Sequence, residues 1–173
     1  EAAAFLRRNG ADVTRVRKLF REDANEYKAK ADAVSQAEIY KKVFAISTCT
    51  SEDIQSPTVV GAQAANELLN INGVKASFVL TDYQGKIYVS ARSIDEINVQ
   101  IIMERMGGGG HMNIAACQME GTGLAEAIGA LKRIIDQMME NGENASQEEY
   151  TLLAGEVEES ILIRQQEEEH EQA

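Results

Sequence analysis

The stretch Gly107-Gly108-Gly109-Gly110-His111-Met112-Asn113 lies between a segment with helical apolar spacing and an apolar, strand-like segment. Four consecutive glycines carry no Cβ, so the main chain can adopt positive φ angles and bring N–H groups close to an anion. A flexible linker is the ordinary alternative for glycine-rich sequence. Because this run is only four residues long and ordered segments adjoin it, the stretch predicts a loop that grips phosphate.

The loop differs from two familiar phosphate-binding sequences. No Gly-Lys-Ser or Gly-Lys-Thr follows it, as a P-loop requires, and the spacing GxGxxG fails at Met112. His111, at the exit of the loop, can donate a hydrogen bond to a phosphate oxygen. A lone histidine is more often a structural residue, and that alternative stays open. The position of His111 directly after the glycines favours contact with a ligand.

A second candidate for anion recognition is the segment Tyr88-Val89-Ser90-Ala91-Arg92-Ser93. Strand alternation places Ser90 and Arg92 on the same face. An Arg beside a Ser at a strand end suits phosphate recognition, because the planar guanidinium makes two charge-assisted hydrogen bonds. The segment alone leaves a surface pair of Arg92 with Asp95 or Glu96 equally open.

From residue 43 onward, short strand patterns alternate with helical patterns, which is typical of a sheet with helices packed on it. Ser56-Pro57 starts one helix, because Ser can cap and Pro suits the first turn. We expect an α/β fold with a mixed, mostly central β-sheet flanked by helices. The predicted strands span residues 43–47, 76–81, 86–92 and 114–119, with the second and third joined as a hairpin, and the predicted helices span 57–69, 98–106 and 124–139.

The residues before this region predict an N-terminal helical connector. Asn9-Gly10 ends a first helix with a glycine stop, and Asp12 caps a second helix that runs from Val13 towards Val34. The chain begins without Met, at what reads as the interior of a helix. We therefore expect a piece of a longer protein.

The charge is concentrated at the C-terminal end. The net charge is −11, and residues 143–173 hold ten Glu against the single Arg164. Residues 1–142 are nearly neutral and can accept an anionic ligand. We expect the acidic tail to be an outer helix or disordered. Two cysteines without CxxC spacing predict neither a disulfide framework nor a zinc site and fit a reducing cytosol.

The predicted elements follow one another in the order strand, hairpin, Ser90-Ala91-Arg92-Ser93, helix, glycine loop with His111, strand and long helix. This order resembles the DHH-associated domain of the DHH phosphoesterase superfamily. The similarity spans residues 36–142. Residues 1–35 resemble the end of the preceding DHH domain and its connecting helix, and residues 143–173 remain as the acidic tail. Within the superfamily, the chain is most similar to the membrane-anchored bacterial cyclic-di-AMP phosphodiesterases.

The resemblance implies a substrate-binding domain for cyclic di-AMP or a related small adenine nucleotide. The residues expected to contact the substrate or to line its cleft are Ser90, Arg92, Gly107, Gly108, Gly109, Gly110, His111 and Asn113. Hydrolysis in the superfamily uses two manganese ions, held by an Asp and His constellation in the DHH domain. The seven Asp residues of this chain are scattered singly and only two His are present. We therefore expect no catalytic residue and no metal site here, and no hydrolysis by this chain alone.

The resemblance also implies partners and a location. The partners are the DHH domain of the parent chain and a cyclic dinucleotide or short oligonucleotide, with a homodimer as a further option. The neutral body, with few aromatic residues, argues against long nucleic acid. No apolar run approaches the roughly 18 residues of a membrane span, so the chain itself is expected to be cytoplasmic and without membrane contact, on the cytosolic side of a membrane-anchored parent.

Two alternatives remain open at the level of sequence. The first is a nanoRNase or single-strand exonuclease of the same superfamily. The second is a non-catalytic nucleotide-binding module, because the associated domain also occurs away from DHH domains.

Overall fold

The computed structural model describes residues 2–19, 21, 23–94 and 97–141, so the acidic tail lies outside the described residues. The described elements, in chain order, are α1 Ala2–Arg8, α2 Val13–Leu19, α3 Ala24–Ser35, β1 Glu38–Tyr40, β2 Phe44–Cys49, α4 Pro57–Leu68, β3 Ala76–Tyr83, β4 Lys86–Ser93, α5 Val99–Arg105, β5 Gly109–His111, β6 Ile114–Glu120 and α6 Leu124–Glu140. None of the described helices combines the length and the apolar character that crossing a membrane requires.

The strands form one mixed sheet in the order β1-β2-β3-β4-β6-β5. β2 and β3 are parallel, joined by the crossover helix α4, and the other neighbours are antiparallel. The expected hairpin closes through Gln84 and Gly85, whose φ angles of 53° and 75° suit a two-residue turn with a matching twist. The predicted α/β fold with a mixed sheet and flanking helices is confirmed.

The two faces of the sheet are covered unequally. On one face, Phe78 and Val89 belong to the large apolar core that includes residues of α5 and α6. On the other face, Val79 and Ala64 belong to a smaller core formed with α3 and α4. Those two helices lie over β2 and β3, whereas Ile114 on β6 is 57% exposed on the same face. Among the described residues, β6 and β5 are therefore accessible on this side, whereas β4, which also contacts α4, is partly covered.

The connector departs from the prediction. One helix from Val13 towards Val34 was expected, but the chain forms α2 and α3 instead. The cause is Asp23, whose side chain accepts hydrogen bonds from the N–H groups of Asn25 and Glu26 and so starts a new helix. The sequence patterns also missed the two edge strands β1 and β5, which are three residues each and too short to show alternation.

Gly61 allows α4 to lie close to the sheet. A Cβ at this position would stand 2.6 Å from Oγ1 of Thr81 on β3, closer than real Cβ atoms come to other heavy atoms. Thr81 is buried, so its hydroxyl cannot swing out to solvent. The helix therefore depends on glycine at this contact.

We predict that Gly61→Ala destabilises the domain by about 1–3 kcal/mol, because the added methyl group overpacks the contact between helix and sheet. Gly129→Ala in α6 is the matched control, since its Cβ would meet only the flexible end of Arg133 at 3.4 Å. Alanine there should be neutral or stabilising by up to about 1 kcal/mol. Thermal unfolding followed by circular dichroism measures both effects. Equal midpoints for Gly61→Ala and the wild type would contradict the close contact.

Candidate functional site

Three neighbouring strands bring two of the predicted site residues into one row. Arg92 on β4 is paired with Ile114 on β6, and Ile114 is paired with His111 on β5. Directly opposed residues in a sheet project to the same face. Arg92 and His111 therefore lie on one face, with Ile114 between them and about 10 Å between their Cα atoms.

The next row adds two further predicted residues. Ser90 is paired with Ala116, and Ala116 is paired with Gly109. We call this accessible part of the sheet the open face; it comprises Tyr88, Ser90, Arg92, Gly109, His111, Ile114, Ala116 and Gln118. Along β4, buried and half-buried residues alternate, and Ser90 and Arg92 are half-buried. The open face thus combines a cation, a hydroxyl, an imidazole and exposed apolar side chains.

Arg92 is held by a residue that the sequence did not indicate. Its Nε donates to Oδ1 of Asn66 on α4 at 3.0 Å, and its Nη1 donates to the carbonyl oxygen of Ala91 at 2.9 Å. Partial burial lowers the pKa of the guanidinium, because desolvation disfavours its charge. The alternative pairing with Asp95 or Glu96 lies outside the described residues. No local pattern could reveal Asn66, which is 26 positions away.

The first half of the glycine loop caps α5. Gly107 has a φ of 84°, and its N–H donates to the carbonyl of Glu104 at 3.0 Å. The N–H of Gly108 donates to the carbonyl of Met103 at 2.8 Å. These two bonds form a Schellman motif, which satisfies the last carbonyls of a helix. The N–H groups of Gly107 and Gly108 therefore have backbone partners within the domain. Contact of these two glycines with a substrate stays a prediction.

The second half of the loop lies against β6. A Cβ on Gly108 would be 2.2 Å from the carbonyl oxygen of Ala116, and one on Gly110 would be 2.5 Å from Cα of Ala115. Gly110 also has a φ of 151°, which side-chain-bearing residues rarely adopt. Both glycines are needed because β5 and the chain before it touch the backbone of β6. Gly109 and Gly110 consequently belong to the edge strand β5.

Asn113 fixes the turn between β5 and β6. The side-chain Nδ2 of Asn113 donates to the backbone carbonyl oxygen of Ser93 at 3.3 Å. The backbone carbonyl oxygen of Asn113 accepts from the N–H of Ser93 at 3.0 Å. The carbonyl of Met112 accepts from the N–H of Val99 at 2.9 Å. Asn113 therefore joins the loop to the end of β4, next to Arg92. The side-chain amide of Asn113 therefore has a hydrogen-bond partner within the domain, with or without a ligand.

The described residues do not form a site for the manganese ions that the resemblance implies. No group of three or more His, Cys, Asp or Glu side chains comes together within the described ranges. Cys117 lies beneath the loop on the core side, where burial raises the pKa of its thiol to about 11. It is therefore protonated at neutral pH and is a poor ligand for a cation. The polar groups of the open face are instead a guanidinium, a hydroxyl and an imidazole, on Arg92, Ser90 and His111.

We predict that Gly108→Ala destabilises the domain by at least about 2 kcal/mol, since its methyl group has no room between the loop and β6. Gly109→Ala is the control, because nothing lies within 4 Å of a Cβ there. Urea unfolding of both variants measures the difference. A Gly108→Ala variant as stable as Gly109→Ala would show that the loop does not pack on β6 as described.

The comparisons with known proteins agree with the fold. The DHHA1 domain family matches residues 44–141. The cyclic-di-AMP phosphodiesterase PdeA of Listeria monocytogenes serotype 1/2a (strain 10403S) is 43% identical over 137 residues, which cover 79% of this chain and 21% of that protein. The cyclic-di-AMP phosphodiesterase GdpP of Bacillus subtilis (strain 168) is 39% identical over 144 residues, which cover 82% of this chain and 22% of that protein.

A solved structure gives independent support for the fold alone. An exopolyphosphatase-related protein from Bacteroides fragilis superposes with a TM-score of 0.67 at 21% identity, covering 79% of this chain and 42% of that one. The matched family lies inside the predicted domain at residues 36–142. The outer boundaries, and the assignment of residues 1–35 to the end of a DHH domain, stay predictions. The chain spans about a fifth of the length of the curated relatives that it matches, and it belongs to the DHHA1 domain family.

Proposed function

We propose that this chain is the substrate-binding domain of a phosphodiesterase that hydrolyses cyclic di-AMP or a related small adenine nucleotide. The supporting observation is the row of Arg92, Ile114 and His111 on the open face. A phosphorylated ligand needs a cation and hydrogen-bond donors on one surface, and a nucleobase needs apolar area beside them. Relatives that are 38–43% identical carry the name cyclic-di-AMP phosphodiesterase.

The side chains on the open face have separate roles in this proposal. Arg92 binds a phosphate with its remaining guanidinium donors, and the hydroxyl of Ser90 donates to the same group. His111 donates to a second phosphate oxygen or to the base. Ile114, which is 57% exposed, supplies an apolar surface for the base between these polar groups. Gly107–Gly110 and Asn113 bring His111 to the edge of the site, so their part is to shape it.

The hydrolytic chemistry belongs to the DHH domain of the parent chain in this scheme. That domain would hold two manganese ions, which would supply an attacking hydroxide, with the substrate between it and the open face. The residues of this chain bind and orient the substrate and neutralise its charge. The parent is anchored in a membrane with this domain on the cytosolic side. The ligand is a cyclic dinucleotide or a short oligonucleotide, not long nucleic acid. The protein can also form a homodimer.

We predict that Arg92→Ala and His111→Ala each weaken binding of cyclic di-AMP to the DHH-containing parent by about 10- to 150-fold. That range corresponds to about 1.5–3 kcal/mol for a hydrogen bond to a charged group. Arg133→Ala is the control, since Arg133 is exposed on α6, over the opposite face of the sheet. Titration calorimetry measures the affinities, with circular dichroism as the check on folding. Unchanged affinity in folded Arg92→Ala and His111→Ala proteins would reduce both residues to structural roles.

We also predict that the 173-residue chain folds but does not hydrolyse cyclic di-AMP when manganese is added. The fold supplies both apolar cores from its own elements. The hydrolysis proposed here needs a water activated on a metal, and the described part of the chain holds no cluster of three or more His, Cys, Asp or Glu side chains. The assay follows the linear product by chromatography over hours. Turnover that His111→Ala abolishes would mean that the open face itself performs the hydrolysis.

A further inference from the structure

Asn66 on α4 contacts Arg92, the cation of the proposed site, and no local sequence pattern indicates this contact. It lies in the last turn of α4, is itself exposed, and accepts a hydrogen bond from Nε of Arg92 at 3.0 Å. The carbonyl of Ala91 accepts from Nη1 of the same guanidinium at 2.9 Å. The oxygens of Asn66 and Ala91 therefore fix the orientation of the guanidinium plane.

The two bonds leave a defined set of donors for a ligand. A guanidinium has five N–H groups, and Asn66 and Ala91 use one on Nε and one on Nη1. The remaining hydrogens lie on Nη1 and Nη2. These two nitrogens form the end-on fork that matches two oxygens of a phosphate. A guanidinium held in this way loses little conformational freedom when the anion binds.

The chemical nature of the acceptor is equally important. An aspartate in place of Asn66 would accept the same hydrogen bond, but its negative charge would repel a phosphate on the other edge of Arg92. The amide orients Arg92 without cancelling its charge. Arg92 is also partly desolvated, which lowers its pKa and increases the benefit of an incoming anion. Gly61, earlier on the same helix, lets α4 lie close to β3.

We propose that Asn66 is a positioning residue for Arg92: its neutral side-chain oxygen aims the guanidinium at a phosphate of the nucleotide while leaving the positive charge available. This inference rests on the proposed function, because it assumes that Arg92 binds the phosphate. It goes further by assigning a role to a residue outside the predicted site. It also explains why that residue is an amide.

The test compares Asn66→Asp, Asn66→Ala and Arg92→Ala in the 173-residue chain. Asn70→Asp is the control, because it is the same chemical change four positions on, where the amide donates to Glu67 and not to Arg92. Cyclic di-AMP is titrated into each protein, and the dissociation constant is taken from nuclear magnetic resonance shifts, which measure weak binding. Thermal unfolding of the same samples measures stability.

Asn66→Asp should weaken binding about tenfold, the effect of one added negative charge near the phosphate. Its thermal midpoint should be unchanged or higher, because the bond to Arg92 becomes charge-assisted. Asn66→Ala should weaken binding about three- to tenfold through lost orientation of Arg92. Asn70→Asp should bind within about twofold of the wild type, since its charge lies farther from the fork and is screened by solvent. Opposite changes in binding and stability for Asn66→Asp are not expected of a merely structural residue.

Two results would overturn the inference, and a third separates it from the proposed function. Wild-type affinity in Asn66→Asp would show that the neutral acceptor has no role. A parallel loss of affinity and stability would reduce Asn66 to a structural residue. If Arg92→Ala binds as well as the wild type, or if the wild type does not bind at all, the proposed function fails and the inference fails with it. If Arg92→Ala binds weakly and Asn66→Asp binds as well as the wild type, only the inference about Asn66 fails.

Discussion

The antiparallel pairing of β6 with β4 on one side and β5 on the other is the contact on which the open face depends. This pairing places Arg92, Ile114 and His111 in one row. It requires glycine at positions 108 and 110, because any Cβ there would collide with the backbone of β6. A shift of the register by one residue would turn every site side chain of the slipped strand towards the core. Gly108 and Gly110 therefore determine where His111 lies, because they let the chain before His111 approach β6.

Much of this arrangement follows from local sequence patterns. The alternation in β4 correctly put Ser90 and Arg92 on one face, and the helical pattern over residues 98–106 correctly located α5, which spans Val99–Arg105. The hairpin between the strands predicted at 76–81 and 86–92 is present, and it closes more tightly than predicted, at Gln84 and Gly85, where both residues have positive φ. These features succeed because each depends on neighbours within a few positions. Hydrophobic periodicity likewise found α6, whose buried residues recur at helical spacing.

The sequence could not show contacts that the fold creates between distant positions. Asn66 reaches Arg92 only because α4 crosses the sheet, and β1 is held to α6 by the bond from the Tyr40 hydroxyl to Asp136, 96 positions away. The sequence also did not show that the glycine loop caps a helix. Its composition indicated an anion-binding bend, but the N–H groups of Gly107 and Gly108 satisfy the end of α5. The same glycine pattern serves a helix cap and an anion site, so composition alone could not separate the two.

The unequal covering of the sheet is what makes a site possible. Helices α3 and α4 bury the β2–β3 half of one face, while the neighbouring half exposes Ile114 beside charged and polar groups. A crystal structure of the domain with cyclic di-AMP tests this account most directly. The account predicts a phosphate against the Nη1 and Nη2 edge of Arg92, with His111 in contact with the same nucleotide and a base over Ile114. A nucleotide bound elsewhere, with the open face empty, would contradict it.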